Sequence, residues 1–114
     1  MADIMPVEPI DLPPAFVPRV DVLQIEGALV IRVAVPGVLE EDIDLSFDTG
    51  AIIVRGELQQ PPIADEARAI IREWTYGIFE RRIDLPDAAR REAMSVEVEF
   101  GVLELRFPME SASS

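Results

Sequence analysis

The sequence predicts an all-β domain, built as an antiparallel β-sandwich of seven or eight short strands. Apolar and polar residues alternate in a series of short runs, as expected for strands with one face in a core. Turn signals rich in glycine, proline and aspartate separate these runs, and no run has the period of a long helix. With 114 residues, the chain is long enough for one domain with a single core.

The first two strands form a predicted hairpin. Residues 20–25 and 28–35 alternate, and Glu26-Gly27 separates them as a short turn. Pro36-Gly37 then suits a type II turn, because proline presets φ at the second position and glycine accepts a positive φ at the third. The second strand is therefore expected to end at residue 35.

A second hairpin follows one irregular or helical turn at 38–42. Residues 43–47 and 51–55 alternate in the same way. Asp48-Thr49-Gly50 closes the loop between them, with Gly50 as its left-handed residue. This region therefore adds two antiparallel strands.

A long interruption precedes the most distinctive strand. Residues 57–69 contain paired prolines and mixed charge, so we expect an excursion, with a short strand near 67–71. Residues 70–86 are predicted to form one strand-like run that includes the only Trp and the only Tyr, Trp74 and Tyr76. We interpret both rings as core or strand-edge packing, with their polar atoms at a wet boundary.

Arg81 lies in the apolar row of that run, between Phe79 and Ile83. One interpretation is a cross-strand ion pair at a sheet surface, which contributes about 0.5 kcal/mol. The other is a bond to a carboxylate or carbonyl of a second subunit. The apolar neighbours favour the subunit interface.

The rest of the chain predicts two further strands and two irregular ends. A helical turn capped by Asp87 is expected at 87–93, followed by strands at 94–100 and 102–107. Residues 109–114 are expected to be a short disordered tail. Residues 1–17 are rich in proline and predict a flexible, extended arm. Its apolar residues, which need a groove elsewhere, are Ile4, Val7, Ile10, Leu12 and Phe16.

Composition and missing motifs exclude several functions. The chain has no cysteine and no histidine, so disulfides, thiolate chemistry and nitrogen or sulfur metal sites lack their residues. A formal charge of −12 repels phosphate backbones and anionic lipids, so no nucleic acid or membrane partner is expected. No long apolar run or secretory signal is present, so we expect a cytoplasmic location.

Catalysis is not expected either. The sequence contains no G-x-S-x-G motif, no phosphate-binding loop and no G-x-G-x-x-G motif. One acidic cluster has metal-ligand chemistry, but its spacing matches no EF-hand loop, so we interpret it as a solvated turn. No enzyme activity, metal or cofactor is therefore predicted. The cluster comprises Glu40, Glu41, Asp42 and Asp44.

Four stretches resemble the α-crystallin domain of small heat shock proteins. GIFERRIDLP at 77–86 resembles the family's G-x-F-x-R-x-x-x-L-P signature, and FGVLELRFP at 100–108 resembles its closing G-V-L strand. VAVPGVLEEDIDLSF at 33–47 and IIVRGEL at 52–58 resemble two intervening segments. The four occur in family order and cover about residues 18 to 108, which we take as the domain.

The resemblance implies an immunoglobulin-like sandwich that forms a homodimer and binds unfolding proteins without ATP. Arg81 falls on the family's dimer-interface arginine, and the stretch before Gly77 is long enough to lend a strand to a partner subunit. The alternative is a lid on its own subunit. The predicted dimer-interface residues are Ile70, Ile71, Glu73, Trp74, Phe79 and Arg81.

Two departures from the family pattern affect the prediction. Phe100-Gly101 replaces the usual Asn-Gly, so we expect a type II-like turn with only Gly101 left-handed. The family's C-terminal Ile-x-Ile anchor has no counterpart in MESASS, which leaves the groove between strands 43–47 and 94–100 without its usual plug. Ile10-Asp11-Leu12 is a candidate substitute, in its own dimer or in a neighbour, against a merely disordered arm. The predicted groove residues are Ile43, Leu45, Val96 and Val98.

The sequence therefore predicts an ATP-independent holdase. The apolar arm and the edge groove would catch exposed segments of unfolding proteins, while the charged surface keeps the complex in solution. The alternative is an adaptor on the same fold. This would be a co-chaperone of the CS-domain type or a subunit that caps assemblies of other small heat shock proteins.

Overall fold

Seven antiparallel strands form in residues 13–110, the part of the chain that the computed structural model describes. They form two sheets, with strand orders β1-β2-β7-β6 and β3-β4-β5. The predicted all-β sandwich is confirmed. Short 3-10 turns lie at Glu40–Asp42 and Arg91–Ala93. The strands are β1 (Val20–Ile25), β2 (Ala28–Ala34), β3 (Ile43–Asp48), β4 (Ala51–Leu58), β5 (Gly77–Asp84), β6 (Ser95–Glu99) and β7 (Val102–Pro108).

The core lies between the two sheets and comes from the apolar rows that the alternation predicts. Side chains from β2 and β7 meet side chains from β4 and β5. Complete burial of one such side chain stabilises the fold by roughly 1.5–3 kcal/mol. The fully buried side chains are Ile31, Val33, Ile52, Val54, Phe79, Leu103, Leu105 and Phe107.

Gly56 lets the Phe79 ring enter this core. A Cβ atom at position 56 would lie 2.5 Å from the Phe79 ring and 2.6 Å from the carbonyl oxygen of Asp42. No side chain fits between these atoms. Glycine in β4 is therefore a packing requirement for the largest core residue of β5.

The Pro36-Gly37 turn has the predicted geometry. The Val38 N–H donates to the Val35 carbonyl oxygen at 3.1 Å, and Gly37 has φ of 83°. The prediction for Phe100-Gly101 is wrong, because φ is positive at both residues, 55° and 74°. Glu99 pairs with Val102, which leaves a two-residue hairpin loop, and strand twist favours a type I′ turn there. The pairing of β6 with β7 therefore overrides the preference of Phe100 for a negative φ.

Three local predictions are also wrong. The run 70–86 is not one strand, because only Gly77–Asp84 pairs with β4, and no strand forms at 67–71. A strand needs a neighbour for its backbone groups, and none lies beside these residues within the described chain. Asp87 caps no helical turn, because the 3-10 turn starts at Arg91 and its N-cap, Arg90, makes no side-chain bond.

No helix within residues 13–110 is both long and apolar enough to cross a bilayer.

Candidate protein-interaction surfaces

β5 is an outer strand of its sheet, and Arg81 lies on it half-buried. The Arg81 Nη1 donates to the carbonyl oxygen of Pro18 at 3.2 Å. Arg81 forms no ion pair with any residue from 13 to 110, so the cross-strand ion-pair interpretation finds no support there. A contact of this guanidinium with a second subunit stays a prediction.

The segment 59–76, which connects β4 to β5, exposes most of its apolar side chains. Ile70 is 90% exposed and Trp74 76%. The prediction that Trp74 packs in the core or at a strand edge is wrong, since it lies outside any strand. Its ring lies 6.2 Å from that of the half-buried Tyr76. This concentration of unburied apolar surface is typical of a protein-binding site.

Two of the predicted dimer-interface residues lie on β5, and the other four lie on the 59–76 segment. Phe79 has no exposed surface, so the prediction that it touches a partner is wrong, and its role is to support the strand from inside. Arg81 is half-buried on β5. The other four are all exposed on the 59–76 segment: Ile70, Ile71, Glu73 and Trp74.

Phe16 packs on the domain and does not lie on a free arm. Its ring centroid lies 5.5 Å from that of Phe79, and the two residues form a parallel β-bridge. The Ala15 N–H donates to the Ile78 carbonyl oxygen at 2.7 Å. The ring is therefore half-covered by its own chain, whereas the sequence predicts that Phe16 lies on a flexible arm and binds clients. The other predicted arm residues, Ile4, Val7, Ile10 and Leu12, lie outside the described residues.

The predicted groove lies at the opposite side of the sandwich, where β3 and β6 are the outer strands. Ile43, Leu45 and Val98 are half-buried against the core, while Val96 is 47% exposed. The Arg91 guanidinium carbon lies 5.1 Å from the centroid of the Phe47 ring, which links the segment before β6 to β3. The structure thus places the four predicted groove residues on two unpaired strand edges.

Charged residues form exposed pairs on the outer face of the β3-β4-β5 sheet. Arg82 Nη1 donates to Asp48 Oδ2 at 2.6 Å, and Arg55 pairs with Glu80. The hydrogen bond from Arg82, together with the Thr49 N–H and the Arg82 charge, lowers the pKa of Asp48. These contacts organise the sheet surface.

The acidic cluster does not assemble into a metal site. Asp42 Oδ2 accepts a hydrogen bond from Gln59 Nε2 at 2.7 Å. Within residues 13–110, no three Asp, Glu, His or Cys side chains converge on a common point. The arrangement is that of surface carboxylates beside a 3-10 turn.

Sequence reasoning missed the exposed apolar surface of β1. Val22, Leu23 and Ile25 are all exposed on this outer strand. The signal was present, because Val22 and Leu23 are adjacent and therefore point to opposite faces. A strand with apolar residues on both faces, at a sheet edge, indicates a missing partner.

Fold and surfaces together define a β-sandwich for protein interaction, with unpaired edges and an exposed apolar segment. The chain belongs to the Hsp20/alpha crystallin family, whose family model matches residues 21–114. Small heat shock protein C2 of Rickettsia felis is 27% identical over 93 residues, which are 82% of this chain and 60% of that protein. Spore protein SP21 of Stigmatella aurantiaca is 29% identical over 96 residues, 84% of this chain and 57% of that protein.

Solved structures of small heat shock proteins have the same fold. A small heat-shock protein from Xylella fastidiosa aligns with a TM-score of 0.77 and 29% identity, over 88% of this chain and 92% of that chain. The hspA protein from Xanthomonas axonopodis gives 0.72 and 33%, over 82% and 93%. The chain spans less than two thirds of the length of several curated relatives, between 57% and 60% for three of them.

Proposed function

We propose that the protein is an ATP-independent chaperone of the holdase type, which binds exposed apolar segments of unfolding proteins and keeps them in solution. The observation that carries this proposal is the pair of unpaired strand edges, β3 and β6, with apolar side chains beside them, in a chain with a formal charge of −12. Apolar surface binds the client by the hydrophobic effect, and the charge opposes aggregation of the complex.

Clients would bind at two places. The unpaired edges of β3 and β6 offer backbone donors and acceptors to an extended segment, with Ile43, Leu45, Val96 and Val98 beside them for its apolar side chains. The arm residues Ile4 and Val7 would add a second apolar surface. No step in this binding needs nucleotide, metal or another cofactor, and we expect the protein to act in the cytoplasm as a non-enzyme.

A homodimer is the proposed working unit. A second copy would bury two apolar surfaces. One is formed by Ile70, Ile71 and Trp74 on the 59–76 segment, and the other by the exposed apolar side chains of β1. Glu73 on that segment and Arg81 on β5 would supply polar contacts. Support comes from the large exposed apolar side chains, which a lone subunit leaves in water.

The test is aggregation of a heat-denatured enzyme, followed by light scattering without ATP. We expect the protein to reduce scattering in proportion to its concentration. Val96→Asp, which puts a charge on the β6 edge, should reduce this protection, while Glu97→Gln on the same strand should retain it. Undiminished scattering with severalfold excess of the unaltered protein would disprove the holdase proposal.

A further inference from the structure

An apolar cleft of about 440 Å³ lies between the Pro36-Gly37 turn and the residues that lead into β5. Leu58, Pro61, Trp74 and Tyr76 form most of its walls. Its volume falls in the range of about 300–1,000 Å³ that is typical of binding pockets. The cleft lies on the β5 side of the domain, away from the β3 and β6 edges.

A second cavity of about 260 Å³ continues this cleft toward the core. The two share Pro36, Leu58 and Thr75 in their walls. Phe16 lines the second cavity, as does Phe79. The two cavities therefore form an apolar trough that runs from Phe16 toward Trp74.

The chain before Phe16 runs along β5 in the direction of this trough. Phe16 pairs with Phe79 in parallel, and the Ala15 N–H donates to the Ile78 carbonyl oxygen. A Cβ on Gly77 would lie 3.2 Å from the Ala15 Cβ, so the segment before Phe16 and the start of β5 are already in contact there. This direction, traced back from Phe16, leads toward Tyr76 and Thr75.

We propose that the cleft binds Ile10 and Leu12 of the same chain. If the parallel pairing of Phe16 with Phe79 continued in register, Leu12 would lie beside Thr75 and Ile10 beside Glu73. Alternate residues of an extended chain face the same side, so Leu12 and Ile10 would share the side of Phe16, which lines the trough. Asp11, between them, would face solvent. The arm would thus form a short strap along β5.

The chain could also reach one competing site. The β6 edge is a competing site for the arm, because β3 and β6 are the outer strands on the opposite side of the sandwich. A cross-link between the arm and β6 tests it.

Cysteine cross-linking tests the strap directly, because the chain has no native cysteine. Adjacent strands lie about 4.8 Å apart, within the Cα separation of about 4.4–6.8 Å that a disulfide needs. In the full chain, Leu12→Cys with Thr75→Cys should form an intrachain disulfide under mild oxidation. On a non-reducing gel this product keeps the mass of one chain.

Two control pairs separate docking from tethering. Leu12→Cys with Val96→Cys measures whether the arm reaches the β6 edge. Ile4→Cys with Thr75→Cys measures how fast a cysteine on the arm meets Thr75→Cys when it is merely attached to the same chain. The Leu12–Thr75 pair should oxidise about tenfold faster than either, because docking raises the effective concentration of its thiols. Equal rates, or a product of doubled mass for Leu12–Thr75, would overturn the proposal.

Trp74 gives a second readout that needs no cross-link. As the only tryptophan, it reports on the cleft by its fluorescence alone. Ile10→Ser with Leu12→Ser should shift its emission to the red and increase quenching by acrylamide, whereas Ile4→Ser with Val7→Ser should change neither. Identical spectra for the two double variants would contradict docking. The docking proposal does not rest on the holdase proposal. Each can fail its own test while the other holds.

Discussion

The guanidinium of Arg81 donates a 3.2 Å hydrogen bond to the carbonyl oxygen of Pro18. This contact joins β5 to the segment that enters β1, so one side chain connects the outer strands of both sheets. Pro18 is itself buried. The charge that is unexpected in an apolar row of the sequence therefore has a partner within its own chain, and its other N–H groups donate no hydrogen bond to residues 13–110.

Replacement of Arg81 should affect stability and dimerisation together. In Arg81→Ala, loss of the bond to Pro18 should lower the free energy of unfolding by about 1 kcal/mol. If a partner also accepts from this guanidinium, the dimer dissociation constant should rise about tenfold, equivalent to 1.4 kcal/mol. Urea unfolding and light-scattering mass across a concentration series measure the two effects. Arg82→Ala, on the exposed face of β5, is the control for the dissociation constant alone, because Arg82 makes its own bond to Asp48. An unchanged dissociation constant in Arg81→Ala would rule out the interface role.

Gly56→Ala should destabilise the sandwich. The new methyl group would meet the Phe79 ring at 2.5 Å and the Asp42 carbonyl oxygen at 2.6 Å, and backbone cannot move aside cheaply. We expect a loss of about 1–3 kcal/mol in the free energy of unfolding, as for other overpacked cores. Ser46→Ala, at an exposed position of β3, should change it by less than about 0.5 kcal/mol. Equal urea midpoints for the two variants would show that the core relaxes around the added methyl group.

Phe100→Asn should stabilise the protein. Phe100 has φ of 55° and is 92% exposed, so its ring gains little burial while its backbone is held in the left-handed region. Asparagine tolerates that region, and relief of the strain should raise the free energy of unfolding by about 1 kcal/mol. Phe100→Ala also removes the ring but lacks the short polar side chain that lets asparagine hydrogen-bond locally in the left-handed region, so it should give no comparable gain. A thermal midpoint for Phe100→Asn at or below that of Phe100→Ala would refute this explanation.

The Arg82–Asp48 pair should contribute to the pH dependence of stability. Its hydrogen bond holds the pKa of Asp48 below the ordinary value of 3.8, so the folded state favours the ionised carboxylate. The contribution is therefore complete above 3.8 and disappears as pH falls through the lower folded pKa. Urea midpoints of the unaltered protein and Asp48→Asn should differ at neutral pH and converge in acid. Asp44→Asn is the control, and a difference that persists in acid would show that another contact is responsible.

Local signals predicted most of the fold. The β3-β4 hairpin follows from alternation and Asp48-Thr49-Gly50, because the turn and both strands lie within a few residues of each other. The exposed state of residues 70–76 could not be predicted in this way. Their alternation is real, but a strand also needs a neighbour, and the sequence alone does not show which chain provides it.

Two side chains show why the candidate site was predicted only in part. Phe100 obeys the hairpin register set by Glu99 and Val102, which overrides its own steric preference. Phe16 follows several prolines and was assigned to a free arm, yet its contact with Phe79 joins residues far apart in sequence. Such long-range contacts leave no local pattern. The apolar cleft beside Trp74 escaped prediction for the same reason, because three separate segments form it.

The holdase proposal is tested most directly by asking whether the protein physically retains an unfolding client. An enzyme is heated with the protein in the absence of ATP, and the soluble fraction is separated by size-exclusion chromatography. We predict a large soluble complex that contains both chains, together with loss of the free client peak. A client found only in the pellet, with the protein eluting at its unheated position, would contradict the account.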